Sequence, residues 1–358
     1  MRRIQNIFLI NGFTILFLIA ACVGGHKDRC KPLPKNASGG DKLAEIMCKA
    51  ENIPCLKSFI VNQGGKFIIE KYMHGGGPDQ LIDLKSASKS ILSAVLGIAI
   101  SEGYITSIDQ NIMDFFPDYQ SDDIDPRTQK ITIRHLATMK SGFGVKESAK
   151  AYQRLYDASD WIGHILGLPI ESNPGVEFNY LSFNTHLLSA IITRATGMST
   201  LAYAKQTLFS PLTIDRVIWE QDPQGYCIGG WGLSMRARDM VKFGLLYLND
   251  GKAGQQQVVP SSWIKQSTVE RTGMIGTYYS RRDKEYGYGY LWWVKRFENT
   301  IDIPFASGHG GQRIAFISKA NSVIVTQADP SVSSSNSHKY HRAIDSLLFE
   351  DLAIYLLQ

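Results

Sequence analysis

Two runs near the start of the chain carry β-forming residues, Ser58–Asn62 and Lys66–Met73, and Gly64-Gly65 lies between them. That spacing predicts a β-hairpin. A different pattern follows. From Lys89 to Ser101 apolar residues fall on nearly every face: Ile91, Leu92, Ala94, Val95, Leu96, Ile98, Ala99 and Ile100. A helix with no broad polar stripe has no side to offer to water, so this segment is expected at the centre of the fold. A shorter helix is predicted at Leu43–Ala50. From about Tyr104 to Arg271 helical patterns and loops dominate. Strand character returns in Tyr286–Arg296, Arg313–Ser318 and Ser322–Gln327, and an amphipathic helix over Tyr340–Leu357 closes the chain. The serine-rich Ser331–Ser337 reads as a loop.

Strands at both ends with helices between them predict an α+β fold. The N- and C-terminal segments would share one antiparallel sheet flanked by helices, and the middle would form an inserted, mainly helical lobe. The 358 residues suffice for one large domain or two closely joined lobes.

Composition narrows the class. Hydrophobic residues make up 44% and charged residues 20%, an ordinary globular balance. The net charge of +5 is spread without a basic block, so no nucleic-acid partner is indicated. The N-terminus stands apart: Arg2 and Arg3 precede an apolar run from Ile7 to Val23, which reads as an export signal. Its end, Leu18-Ile19-Ala20-Ala21-Cys22, resembles a bacterial lipoprotein signal with Cys22 as the acylated residue. The alternatives are a plain secretory signal or an uncleaved anchor helix. The expected organisation is a signal over 1–22, a tether over 23–41 and a folded domain over 42–358. The protein would be exported and held on the membrane by a lipid, facing the periplasm or the cell exterior. In that oxidising compartment Cys30, Cys48, Cys55 and Cys227 can form disulfides, with Cys48 and Cys55 a candidate pair. No cysteine or histidine spacing suggests zinc, and neither a metal nor an organic cofactor is expected.

The candidate chemistry lies at the head of the apolar helix, in Asp83-Leu84-Lys85-Ser86-Ala87-Ser88-Lys89-Ser90. Serine three residues before lysine puts both side chains on one face of the first helical turn. A serine hydroxyl needs a base to become a nucleophile at neutral pH. An amine drawn in against an apolar helix gives up its charge more readily than a solvated one. The competing reading is a capped helix start with a solvated lysine. The apolar helix behind the motif favours the buried amine.

Further stretches join this motif. They are Thr138-Met139-Lys140-Ser141-Gly142, Pro174-Gly175-Val176-Glu177-Phe178-Asn179-Tyr180-Leu181-Ser182, Gly230-Trp231-Gly232-Leu233 with Arg238-Asp239, and Tyr286-Gly287-Tyr288-Gly289-Tyr290-Leu291-Trp292-Trp293. Together with Ser-x-x-Lys they resemble the serine β-lactamase-like hydrolase superfamily, which holds class C β-lactamases, DD-peptidases, esterases and 6-aminohexanoate-dimer hydrolases. The resemblance runs from about Leu43 to the C-terminus. It implies Ser86 as nucleophile, with Lys89 and Tyr180 moving its proton. The second motif reads Tyr-x-Ser here rather than Tyr-x-Asn, and it gives Ser182 a hydrogen bond to Lys89 or to substrate. Gly308-His309-Gly310-Gly311-Gln312 stands where β-lactamases carry Lys-Thr-Gly on a strand lining the site. The N–H groups of Gln312 and Ser86 would form the oxyanion hole, with Gly311 allowing a close approach. His309 replaces the cation that meets a β-lactam carboxylate; Arg313 is an alternative cation unless it faces the other way. Trp231, Tyr288, Trp292 and Trp293 are candidates for the acyl pocket, at least half of them expected in the core instead. The implied function is hydrolysis of a small ester or amide. A β-lactamase or DD-peptidase is the alternative, and a non-catalytic envelope binding protein the rival class. The oligomeric state is left open.

Three motifs are set aside. His74-Gly75-Gly76-Gly77 mimics a lipase oxyanion loop but has no downstream Gly-x-Ser-x-Gly. Lys140-Ser141-Gly142 precedes Tyr180, in the wrong order for Lys-Thr-Gly. His338 and His341 are expected to be solvated.

Overall fold

The computed structural model describes residues 39–119, 124–273, 286–298 and 300–358. The export signal, Cys22, Cys30 and all but the last three tether residues fall outside this range. Helix α1, Gly39–Glu51, begins inside the expected tether.

The predicted hairpin forms β1 (Leu56–Gln63) and β2 (Lys66–Tyr72). Gly64 and Gly65 both take positive φ at its turn, which is the conformation glycine reaches without strain. The late strands are β3 (Tyr286–Tyr288), β4 (Trp293–Phe297), β5 (Ile301–Gly308), β6 (Gln312–Ile317) and β7 (Ser322–Ala328). They join the hairpin in one seven-stranded sheet of order β2-β1-β7-β6-β5-β4-β3. Every pairing is antiparallel. The chain thus closes its two ends on each other through β1 and β7.

Two departures from the predicted strands have physical causes. Tyr286–Arg296 is a tight hairpin rather than one strand, because Gly289 to Trp292 turn the chain and Leu291 takes φ 63°. β5 is absent from the sequence reading, since Asp302 and Pro304 argue against an interior strand. Pro304 is tolerated because it is in register only with Val294 of β4; pairing with β6 starts at Phe305.

Alternation along the strands separates two covered faces. Helix α4, Ala237–Leu248, packs on one of them. A Cβ on its Gly244 would come within 2.5 Å of Val323 and 3.2 Å of Ile314, so the missing side chain lets the helix lie close to the sheet. Helix α5, Ser334–Asp345, covers the other face and continues through a π-helical stretch to a last helix ending at Leu357. The serine-rich tract is therefore not wholly a loop: Ser333 caps α5 by accepting the N–H of Asn336, and Ser334–Ser337 form its first turn.

Between the early and late strands lies the helical lobe. The apolar segment becomes α2, Ser88–Ser101, buried from Ser88 to Ala99. Each fully buried Ile or Leu there contributes about 1.5–3 kcal/mol. Its serines spend their hydroxyls on backbone: Ser90 donates to Leu291 O and Ser93 to Tyr290 O, both at 2.7 Å. Helix α3, Ser182–Thr196, packs beside it and is buried from Ser182 to Ile192. Among the described residues no helix is long and apolar enough to cross a membrane. Cys55 is a buried free thiol whereas Cys48 is disulfide-bonded, so Cys48 and Cys55 are not the pair the sequence suggested.

Candidate active site

A short three-stranded sheet builds the floor of the site. Leu233–Met235 runs between Ile82–Asp83 and Ile218–Trp219. Leu84 N–H donates to Leu233 O, and Asp83 accepts the N–H groups of Lys85 and Gly232. These bonds fasten the turn before α2 to the loop that follows Gly229. Lys85 adopts φ 51°, an unusual value for a non-glycine residue, one position before Ser86.

Ser86 then sits in a single 3-10 turn that runs into α2. Lys89 Nζ lies 2.9 Å from Ser86 Oγ and 3.0 Å from Gly230 O. The ammonium is 5.0 Å from the centroid of the Tyr180 ring. Lys89 is 1% exposed. Burial pushes its pKa down to about 8, against an opposing pull from the Glu147 carboxylate. Its two hydrogen-bond partners are neutral, so they hold the proton on the amine less firmly than a bonded carboxylate would.

Tyr180 arrives on the loop before α3. Asn179 anchors that loop: its N–H donates to Met139 O and its side chain to Phe143 O and Val145 O. The Tyr180 ring stacks on Trp293 at 5.6 Å and meets Tyr288 edge-on at 6.0 Å. Ser86, Lys89 and Tyr180 therefore converge from α2 and from the loop before α3.

The loop that Asn179 grips at Phe143 and Val145 delivers Glu147, which the sequence reading missed. Its Oε1 accepts the Ser182 N–H at 2.6 Å and the Tyr152 hydroxyl at 2.9 Å. The first bond sits at the start of α3, where an anion is favoured. Nothing in the sequence marks Glu147, because its partners are a backbone amide 35 residues away and a tyrosine on a separate helix. Ser182 itself departs from expectation. Lys89 bonds Ser86 and Gly230 instead, while the buried Ser182 hydroxyl lies beside that of Tyr152 without closing a hydrogen bond of good geometry. Gly230 fits closely against Ser182: a Cβ there would stand 2.8 Å from that of Ser182.

A second buried pair holds the loop that carries Gly230. His186 Nε2 lies 2.9 Å from Asp222 Oδ2 with both side chains inaccessible, and Asp222 Oδ1 accepts the N–H groups of Gln224 and Tyr226. Gly229 fits so closely on α3 that a Cβ would meet Thr185 O at 1.9 Å.

The His309 segment is a hairpin turn between β5 and β6, not a strand along the site. Gly310 and Gly311 take φ 84° and 119°, which the turn requires. A Cβ on Gly311 would run into Ile344 of α5 at 2.1 Å, so this glycine serves the packing of α5 rather than the approach of a substrate. The close approach belongs to Gly308, whose Cβ would stand 2.1 Å from Leu84 O and 3.1 Å from Ala87 N, against the Ser86 turn. Gln312 is fully buried. Its side chain donates to Ala328 O at 2.7 Å and accepts Ala328 N–H at 3.0 Å, which ties the base of the turn to the end of β7. His309 donates from Nε2 to Val332 O at 2.8 Å.

Arg313 faces α5. Its Nε and Nη2 donate to Asp345 Oδ1 at 2.9 and 2.7 Å, Nη2 also reaches His341 Nδ1 at 2.7 Å, and Nη1 donates to Gln312 O. His341 is thus buried, not solvated, and burial holds its pKa well below the usual histidine value. His338 stays exposed.

A cleft of about 520 Å³ runs over this assembly, lined at one end by Tyr152, Tyr156, Trp231 and Glu147 and at the other by Ser307, His309, Arg313 and His338. Ser86, Tyr180 and Trp293 also line it. Of the four aromatic candidates, Trp231 and Trp293 reach the cleft, while Tyr288 and Trp292 are 1% and 0% exposed in the core.

The chain has known counterparts in sequence and in fold. The 6-aminohexanoate-dimer hydrolase of Paenarthrobacter ureafaciens is 26% identical over 298 residues, which span 76% of this chain and 72% of that protein. The octameric penicillin-binding protein homologue of Pyrococcus abyssi superposes with a TM-score of 0.65 at 19% identity, over 88% of this chain and 78% of its own. The D-stereospecific amidohydrolase of a Streptomyces species gives 0.63 at 16% identity, over 85% and 97%. The Beta-lactamase family model matches residues 57–344, from β1 through α5, and on that span the chain belongs to the Beta-lactamase family of hydrolases.

Proposed function

We propose that this protein is a serine hydrolase that cleaves a small ester or amide through an acyl-enzyme on Ser86. The observation that carries the reading is Lys89 Nζ at 2.9 Å from Ser86 Oγ, fully buried, with its pKa brought down to about 8. A neutral Lys89 takes the Ser86 proton as Oγ attacks the carbonyl carbon. The resulting ammonium, beside Tyr180, returns that proton to the departing alcohol or amine. Water then attacks the acyl-Ser86 ester by the reverse proton path, releasing the acid and restoring the serine. The backbone N–H groups of Ser86 and Gln312 are the proposed oxyanion donors, worth on the order of a hundredfold or more each. Relatives named for amide hydrolysis support the reaction class.

Ester or amide is preferred over β-lactam because, among the described residues, the His309 end of the cleft offers no uncommitted guanidinium: Arg313 is bonded to Asp345, His341 and Gln312 O. The experiment is acylation by p-nitrophenyl acetate followed by peptide mass spectrometry. A burst of nitrophenol with acetyl on the Ser86 peptide is expected. Undiminished turnover by Ser86→Ala would overturn the proposal. Export with lipid attachment at Cys22 is proposed on the N-terminal sequence pattern alone; the mass of the mature N-terminal peptide tests it.

A further inference from the structure

The two ends of the cleft differ in charge. At the His309 end the fixed charges cancel, because Arg313 is bonded to Asp345. Near the Ser86 turn Lys85 is paired with Asp83 at 2.7 Å. Glu147 is different. It accepts two neutral donors, Tyr152 and the Ser182 N–H, and among the described residues no lysine or arginine pairs with it. The Glu147 carboxylate acts on Lys89, which must be neutral when it acts as base. In that state Glu147 leaves the cleft with an uncompensated negative charge.

Three aromatic rings surround this carboxylate's end of the cleft. Tyr152 and Trp231 meet at 5.2 Å and 81°, Tyr156 and Trp231 at 6.4 Å and 79°, and Tyr152 and Tyr156 stack at 6.4 Å. All three line the cavity, and Tyr156 is 54% exposed. The negative field extends beyond Glu147, since the Glu220 carboxylate also acts on the Tyr156 hydroxyl. Aromatic faces set at right angles beside a carboxylate form a receptor for an organic cation, whose charge meets the ring quadrupoles while its methyl or methylene groups are buried.

We infer that Glu147 and the Tyr152–Tyr156–Trp231 corner form a subsite for a cationic substituent of the substrate, such as an alkylammonium group. The inference rests on the proposed Ser86 chemistry only for which end of the molecule is cleaved; the subsite itself is a binding claim. An anionic substituent would be repelled there, and a neutral one would leave Glu147 unbalanced.

The test uses two p-nitrophenyl esters of equal shape, 4-(trimethylammonio)butanoate and 5,5-dimethylhexanoate. Their affinities for the full chain carrying Ser86→Ala are measured by calorimetry, where no turnover intervenes. The cationic ester is expected to bind about tenfold more tightly. That ratio, taken within each protein, should collapse towards one when Glu147→Gln or Trp231→Leu is added. Equal or weaker binding of the cationic ester, or a ratio that survives both substitutions, overturns the inference. Wild-type turnover separates the two claims. Hydrolysis of both esters without a binding preference removes the subsite and leaves the serine hydrolase. A binding preference without any hydrolysis removes the hydrolase reading and keeps the subsite.

Discussion

Two cations are buried beside one cleft, Lys89 beneath Ser86 and Arg313 in its lining, and they are handled in opposite ways. Lys89 donates to a hydroxyl and a carbonyl. Arg313 donates to a carboxylate as well as to a carbonyl and a histidine ring. Removing a charge from water costs several kcal/mol, and only an opposite charge with good hydrogen bonds offsets it. Arg313 has that offset, so its charge is fixed and its work is to hold β6 to α5. Lys89 lacks a bonded carboxylate, so its proton is loosely held. The same burial fixes the charge of one and loosens the proton of the other, according to the partner each is given.

The largest effect that can break this comparison comes from Asp345. With Asp345→Ala the Arg313 guanidinium stays buried without its counter-charge. Denaturant unfolding should show a loss of about 3–5 kcal/mol. Replacing both partners, with Arg313→Met and Asp345→Leu, should recover most of that loss. A single substitution that costs nothing would mean the pair does not carry the packing of α5.

A somewhat smaller effect of opposite sign is expected at Lys89. Its folded pKa, about 8, lies below the unfolded lysine value of 10.5. The folded state therefore binds fewer protons than the unfolded one, and the charged amine is a liability throughout the range below pH 8. Lys89→Met removes that liability and should stabilise the protein by about 3 kcal/mol at pH 7, following from the size of the shift. The gain should shrink as pH rises from 8 towards 10.5, where the unfolded amine also loses its proton. Thermal unfolding of both proteins across this range checks the sign. A gain that grows with pH would contradict it.

Legibility in the sequence followed locality. Ser86 and Lys89 are three residues apart at the head of an apolar helix, so one helical turn and one hydrophobic pattern suffice to bring them together and draw the amine inside. The hairpin and the strands β6 and β7 carry their own periodicity and glycine turns. What escaped was set by distant partners. β5 holds Asp302 and Pro304 because only half of it is paired on the β6 side. Glu147 has no pattern of its own and is placed by Asn179 and the start of α3. The resemblance to Lys-Thr-Gly places the His309 segment on a strand whose glycines allow a close approach. Two of them instead satisfy the positive φ of a turn, and Gly308 alone makes the approach. Arg313 was legible as a cation, but its direction depended on the register of β6, which the alternation of buried residues does not reveal when both faces are covered.

The central claim is that the neutral form of Lys89 activates Ser86. The rate at which a fluorophosphonate labels Ser86, measured from pH 6 to pH 10, tests it without reference to any natural substrate. The wild-type rate should rise through an apparent pKa of about 8 and then level. Lys89→Met should label more slowly by about 10²–10⁴-fold and show no inflection near pH 8. A wild-type rate that is flat across this range, or a Lys89→Met protein that labels as fast as wild type, would contradict the account.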